Sequence, residues 1–470
     1  MFGTDGISVR RARIEFKRGY IDCIRPNLET AGLALLWPIA GAGKILLPTT
    51  CVPERKRPYN LNVEIARAKL MQITNRREDW SFFDDVEGME NTAKRSQDLF
   101  IDAIQNISHP RKASQLADES LKEAMVYSEK LAVRQGKSLF DKRRRSRGFG
   151  RGCLGCRIAP SRMTESAYVE KLLESFASVT VPINWARVEP RRGHFDFSEV
   201  DHCISMLGRR KIVIGAGPLL RFTRDHLPDW LLNAGVGFEK IRELAYQFVS
   251  KVVTRYAGVV HRWYAISGLN AYNQFNFTFE QILEMTRAAN MAVRAAGSRA
   301  VRIIEVSNPW GEYYASVTNS IPPFVYMDMV VQGGTSFDAF ALQMRFGKDE
   351  TGMHLRDMLQ ISSVLDCFAP ISKPLHITDV EIPSAPGKGP FSGEVAGLWH
   401  HPWTRTQQSQ WLERFYRIAL SKPFVEAVNY GHLADEDGGS IANSGLLTSD
   451  YERKESFDAI RRLYASMFKR

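Results

Sequence analysis

From Gly155 onward, short apolar runs alternate with amphipathic segments, and this alternation restricts the fold more than any other feature of the chain. The runs are Gly155–Ile158, Ser178–Pro182, Lys211–Ile214, His261–Ser267, Val301–Val306, Asp338–Gln343, Leu375–Ile382 and Val425–Tyr430. Segments with helical spacing lie between them, among them Phe238–Tyr256, Phe279–Ala296 and Gln407–Leu420. Strands separated by helices join in parallel through crossovers, and eight such units in roughly 310 residues predict a closed (β/α)8 TIM barrel. The expected fold class is therefore α/β: a barrel over residues 150–470 with an amino-terminal strand-rich plus helical domain before it.

The seventh run, Leu375–Ser384, carries two carboxylates, Asp379 and Glu381. Residues two apart on a strand share a face, so these acids should project together while His376, Thr378 and Val380 face the other way. Pro383, Pro386 and Gly387 then open a loop, which places both acids at the carboxyl end of a strand, where barrels assemble chemistry. The alternative is that one acid caps the next element and the other is solvated.

Residues 1–58 read as a strand-rich β subdomain, with VRRARIEF, YIDCIRP, GLALLWPI and KILLPTT separated by Gly and Pro. Residues 59–147 change to helical period, with stripes through Leu61, Ile65, Ala68 and Ile73, through Leu99, Ile101, Ile104 and Ile107, and through Leu116, Leu121, Ala124 and Leu131. Breaks are expected near Asp84–Glu87 and at His109-Pro110. The net charge of +11 is concentrated at Lys142, Arg143, Arg144, Arg145, Arg147 and Arg151, beside Gly148, Gly150 and Gly152. That run reads as a flexible linker rather than a nucleic-acid surface.

Six cysteines make no disulfide framework, and Cys153 and Cys156 form a CxxC without a second ligand pair, so neither metal nor cofactor is expected. The amino terminus has no signal-peptide apolar core, and Leu33–Leu47 is too short and too interrupted to span a bilayer. The expectation is a cytoplasmic chain with no membrane or nucleic-acid partner, its oligomeric state left open.

Several motifs resemble glycoside hydrolase family 10, the xylanase family, in that family's order. They are Trp185, Glu189-Pro190, Gly193, Phe195, Phe197 and Asp201, then Leu227–Trp230, Trp263–Asn270, Phe337–Gln343, Lys373–Pro383 and Tyr430–Asp437, followed by Leu446-Leu447. The resemblance implies a barrel acting on β-linked polysaccharide or oligosaccharide through two carboxylates. The departures fall on the chemistry. The family's acid/base Glu is Gly268, and its Ile-Thr-Glu-x-Asp strand reads Ile377-Thr378-Asp379-Val380-Glu381. Asn184 replaces a Lys, Tyr430 replaces a Trp, and the histidine expected after Gln343 is replaced by Met344-Arg345.

Glycosidases place their two carboxyl groups about 5–5.5 Å apart when retaining and about 6.5–9.5 Å apart when inverting. Glu312, after the fifth strand, is the candidate substitute acid, ahead of Glu305 inside that strand; binding a sugar hydroxyl or pairing with an arginine is its other reading. Candidate catalytic residues are thus Asp379, Glu381 and Glu312. Candidate sugar-binding residues are Asn184, Trp185, Asn270, Asn273, Trp310, Gln343 and Tyr430, because rings stack on sugar faces and amides meet their polar edges. Two functions remain open: a divergent glycoside hydrolase, and a catalytically inactive relative that binds glycan or acts as a scaffold.

Overall fold

The computed structural model describes residues 1–80, 88–435 and 440–468. Eight parallel strands close a barrel: Leu154–Arg157, Ser178–Val181, Val213–Ala216, Arg262–Ser267, Val301–Val306, Ala339–Arg345, Leu375–Glu381 and Val425–Tyr430, hereafter barrel strands 1 to 8. Each pairs with the next, and closure comes from strand 8 pairing with strand 1 at Tyr430↔Cys156. These strands are buried on both faces, which is why their sequences run apolar instead of alternating.

The surrounding helices bury one stripe each. Helix Phe238–Tyr256 lays Ile241, Leu244, Phe248, Val249 and Val252 against the barrel. Helix Phe279–Ala295 begins at a capping box in which the Thr278 side chain accepts from Gln281 N–H and the Gln281 side chain accepts from Thr278 N–H.

The register slips three times in the pairings of the seventh strand, between Gln343 and Arg345 on strand 6 and, on strand 7, between Leu375 and His376 and between Ile377 and Val380. Asp379 sits at φ 51°, a left-handed conformation uncommon for a residue other than glycine. The bulge breaks the strict two-residue parity expected there. Asp379 and Glu381 still reach a common partner, but Thr378, expected on the opposite face, also sends its hydroxyl inward to Glu305 at 2.5 Å.

The amino-terminal region has two small β elements. Strands β1 (Arg13–Lys17) and β2 (Tyr20–Ile24) form an isolated antiparallel hairpin. Strands β3 (Ala34–Ile39) and β4 (Gly43–Pro48) form a second pair, completed by Leu398–Trp399 from the loop after barrel strand 7. Helices α1 (Leu61–Asp79), α2 (Glu90–Gln105) and α3 (Pro110–Ser146) follow. Pro110 occupies the first turn of α3, as a break at His109-Pro110 requires; the break expected near Asp84–Glu87 lies outside the described residues.

The first four cations of the basic run are helical rather than part of a linker. Lys142 to Arg145 form the last turn of α3, and the Arg143 guanidinium donates to the carbonyls of Leu420, Lys422 and Val425 at 2.8–2.9 Å. Cations there complement the negative end of the helix dipole while satisfying carbonyls on the barrel side. One continuous core runs from Ile39 through α1 and α3 to Met467. A buried ion pair between Lys69 of α1 and Asp357, 3.0 Å, ties the two regions together, and Asp357 also caps helix Met358–Cys367.

Candidate functional site

Barrel strands 4 to 7 each deliver polar side chains to one buried cluster. Glu305, on strand 5, is 1% exposed and accepts from Ser267 Oγ at 2.5 Å, Thr378 Oγ1 at 2.5 Å and Gln343 Nε2 at 3.0 Å. Gln343 Nε2 also donates to Asp379 Oδ2 at 2.9 Å, so one amide bridges two carboxylates. The Gln343 carbonyl oxygen accepts from Ser307 Oγ at 2.5 Å.

Asp379 is enclosed by positive charge. Arg157 from strand 1 meets its Oδ1 at 2.8 Å, and Arg345 from strand 6 meets its Oδ2 at 2.5 Å. Burial raises this carboxyl, but the two guanidiniums outweigh burial and bring it down to about 2. Glu381 behaves oppositely. Burial lifts its carboxyl to about 7, with the charge of Asp379 adding to the rise and Arg345 and Arg157 opposing it. Arg345 Nε and His432 Nε2 each stand 3.4 Å from Glu381 Oε1, while its Oε2 is buried without a hydrogen-bond partner. Two neighbouring acids of one strand thus have opposite protonation tendencies at neutral pH.

Gly268, at the end of strand 4, has φ +65°, and a Cβ there would lie 2.6 Å from Ser307 Oγ and 2.7 Å from the Tyr272 ring. The space beside it is filled, with Arg221 stacked over Tyr272 at 4.8 Å. A cavity bounded by Arg157, Tyr264, Glu305 and Asp379 has about 10 Å³ of room, the size of one water molecule.

The remaining candidates divide between this cluster and the scaffold. Gln343 is central to the cluster. Asn270 is fully buried, donating to Ser307 O at 2.9 Å and Tyr313 Oη at 2.6 Å, and accepting from Ser307 N–H. Trp185 is a core residue whose indole donates to Glu189 Oε2 and stacks on Phe248 at 4.7 Å. Tyr430 is buried, its hydroxyl donating to Ser444 O at 2.5 Å.

Asn273 braces its loop through Phe277 and Asn319, and Asn184 caps the turn Trp185–Val188 while donating to Asp225 O. Trp310 is half-buried under the Arg356 guanidinium.

Glu312 is held elsewhere. It pairs with Arg356 and accepts from Gly352 N–H at 2.8 Å, and Arg356, working against burial, holds its carboxyl below the usual range. The carboxylate joined to Asp379 is Glu305, which the sequence reading had ranked below Glu312. Its one visible signal was a charge inside an apolar strand, since a buried carboxylate requires partners.

Comparison with known families matches residues 147–462 to Glycosyl hydrolase family 10. The chain belongs to that family. Among solved structures, xylanase 10B from Thermotoga maritima is 15% identical over 70% of this chain and 98% of its own, with a TM-score of 0.51. A family 10 protein from Paenibacillus barcinonensis is 17% identical over 68% and 97%, TM-score 0.53. Xylanase 10B from Thermotoga petrophila, solved with xylobiose, is 15% identical over 71% and 98%, TM-score 0.52. At these identities the likeness concerns the fold.

Proposed function

We propose that this family 10 barrel binds β-linked saccharide at its mouth without hydrolysing it. The observation that carries this reading is the engagement of both Asp379 oxygens by Arg157, Arg345 and Gln343. A carboxylate must offer a lone pair to attack a sugar carbon, and one stabilised by two guanidiniums is a weak nucleophile. The second deficit is at Gly268, where the neighbouring volume belongs to Ser307 and Tyr272. General acid catalysis is worth about 10²–10⁴-fold, and its loss compounds the first deficit. Arg345, Arg157 and His432 keep 12%, 20% and 24% of their side chains exposed above the cluster, and Asn184, Asn273 and Trp310 are half-buried; these are the proposed saccharide contacts.

The test pairs turnover with binding. Xylo- and gluco-oligosaccharides and aryl β-glycosides are incubated with the full chain, and binding is followed by calorimetry for the native protein and Arg345→Met. Binding that weakens in the variant, without released sugar, supports the proposal; turnover by the native chain refutes it.

One arrangement favours hydrolysis instead. Arg157 and Arg345 contact both Asp379 oxygens and, against burial, hold that carboxyl low. Glu381, two residues on, is raised by burial and keeps Oε2 buried without a hydrogen-bond partner. The two environments thus separate an ionised group from a proton-holding one. In that reading Glu381 donates the proton, and Glu381→Gln abolishes turnover while Asp379→Asn does the same. Glu312 would serve as acid only after leaving Arg356 and Gly352.

A further inference from the structure

The β1–β2 hairpin and the loop after it gather exposed apolar side chains in one short stretch. Ile14, Phe16, Tyr20 and Ile24 are 38%, 73%, 53% and 44% exposed, and Leu28 in the following loop is 83% exposed. The register places Ile14 opposite Cys23 and Phe16 opposite Ile21 on one face, with Tyr20 and Ile24 on the other. The hairpin therefore shows apolar side chains on both faces. Among the described residues it pairs with no third strand. A two-stranded ribbon in water is marginal, and clustered apolar exposure marks a contact surface.

Charge identifies the partner. From Arg10 to Arg25 the cations are Arg10, Arg11, Arg13, Lys17, Arg18 and Arg25, against Glu15 and Asp22. Lys17 is paired with Asp22 and Glu15, and Arg10 is turned to the carbonyls of Tyr314 and Ser320. Arg11, Arg13 and Arg18 are exposed and carry the excess positive charge beside Phe16 and Tyr20.

Edge-to-edge pairing with a second copy is disfavoured. Centred antiparallel pairing of β1 with itself sets Glu15 against Glu15 and Arg13 against Lys17, and the same operation on β2 sets Asp22 against Asp22. Like charges directly opposite destabilise a sheet. Aromatic and aliphatic side chains flanked by uncompensated arginines suit the boundary of an anionic bilayer, where rings sit at headgroup depth and guanidiniums meet phosphates.

We propose that the β1–β2 hairpin docks this protein onto an anionic lipid surface, Phe16, Tyr20 and Leu28 entering the headgroup layer and Arg11, Arg13 and Arg18 pairing with it. This contact uses none of the side chains of the Asp379 cluster, although Arg10 at the base of the hairpin reaches the Tyr314 and Ser320 carbonyls in the segment after barrel strand 5.

The full chain is sedimented with vesicles of phosphatidylcholine alone and of phosphatidylcholine with about 30 mol % phosphatidylserine. Binding is expected to the anionic vesicles only and to fall in about 0.5 M salt. Replacing Arg11, Arg13 and Arg18 together by Gln should weaken it on the order of a hundredfold. Phe16→Ser with Leu28→Ser should weaken it at least about tenfold, with circular dichroism and thermal unfolding unchanged because these side chains are solvent-facing. Equal binding to both vesicle types, no binding to either, or variants that bind like the native chain would each overturn the proposal. Self-association in sedimentation velocity that Phe16→Ser abolishes, in the absence of vesicle binding, would assign the patch to a second copy.

Discussion

Placing a carboxyl at position 268 tests the proposed reading of the site most directly, and the structure sets the expected cost. Gly268→Glu puts a side chain on a backbone at φ +65°, with its Cβ 2.6 Å from Ser307 Oγ and 2.7 Å from the Tyr272 ring. A left-handed conformation costs an L-residue about 1–2 kcal/mol. Overpacking a well-filled interior adds about 1–3 kcal/mol. The sum is about 2–5 kcal/mol. With an unfolding entropy of about 2.1 cal/mol/K per residue, a chain of this length unfolding as one unit loses about 2–5 °C in Tm. Scanning calorimetry measures that shift, and a fluorogenic aryl β-xyloside measures turnover. Gly268→Ala separates backbone and Cβ cost from the rest of the side chain and should account for most of the loss. The expected outcome is a destabilised protein that remains inactive. A Gly268→Glu protein with unchanged Tm and measurable hydrolysis would show that the space is open and that only the carboxyl was lacking.

Three further outcomes follow from the ion pairs and carboxyls. Burial raises the Glu381 carboxyl from 4.5 to about 7, so between those values the folded state binds more protons than the unfolded one, and stability falls as pH rises through this window. The lowered Asp379 acts in the other direction, contributing stability above its ordinary value of 3.8 that is lost as pH falls toward about 2. Glu381→Gln should therefore flatten the decline in Tm between about pH 5 and pH 7, a term on the order of 3 kcal/mol; a native profile already flat there contradicts the assignment. Lys69→Met strands Asp357 in a dry environment and should cost about 3–5 kcal/mol in urea unfolding; a loss below about 1 kcal/mol would mean the pair is solvated. Glu312→Gln should leave saccharide affinity within about twofold, because its carboxylate serves Arg356 and Gly352, and a tenfold loss measured by calorimetry would place it at the ligand.

The barrel was legible because its evidence is local and repeated. Apolar strands, amphipathic helices and family 10 motifs occur in order along the chain, and each strand's identity needs only its own residues. The site was half legible for the opposite reason. Asp379, Glu381 and Gln343 lie in recognisable motifs, but the partners that set their chemistry come from other strands: Arg157 is 222 positions before Asp379, and Arg345 is 34 positions before it. Arg345 was marked only as a departure after Gln343, and nothing local distinguishes Arg157 from the many other arginines. Parity failed at Thr378 because the bulge depends on pairing with neighbouring strands. The aromatic candidates Trp185 and Tyr430 proved to be core because composition cannot tell which side of a strand end a ring occupies. The basic run was read as a linker from its glycines, although Gly148 and the glycines after it follow the helix end rather than interrupt it.

The Arg143 clasp also bears on the order in which the chain can fold as it is made. Arg143 leaves the ribosome 277 residues before its acceptor Leu420, and β4 ends 350 residues before Leu398. At about 5–20 residues per second, roughly 14–55 s separate the first pair and about 18–70 s the second. During that interval α1, α3 and the β3–β4 pair exist without the surfaces that complete them, their apolar faces open to water. The amino-terminal region is consequently a late-closing part of the protein despite being synthesised before the barrel.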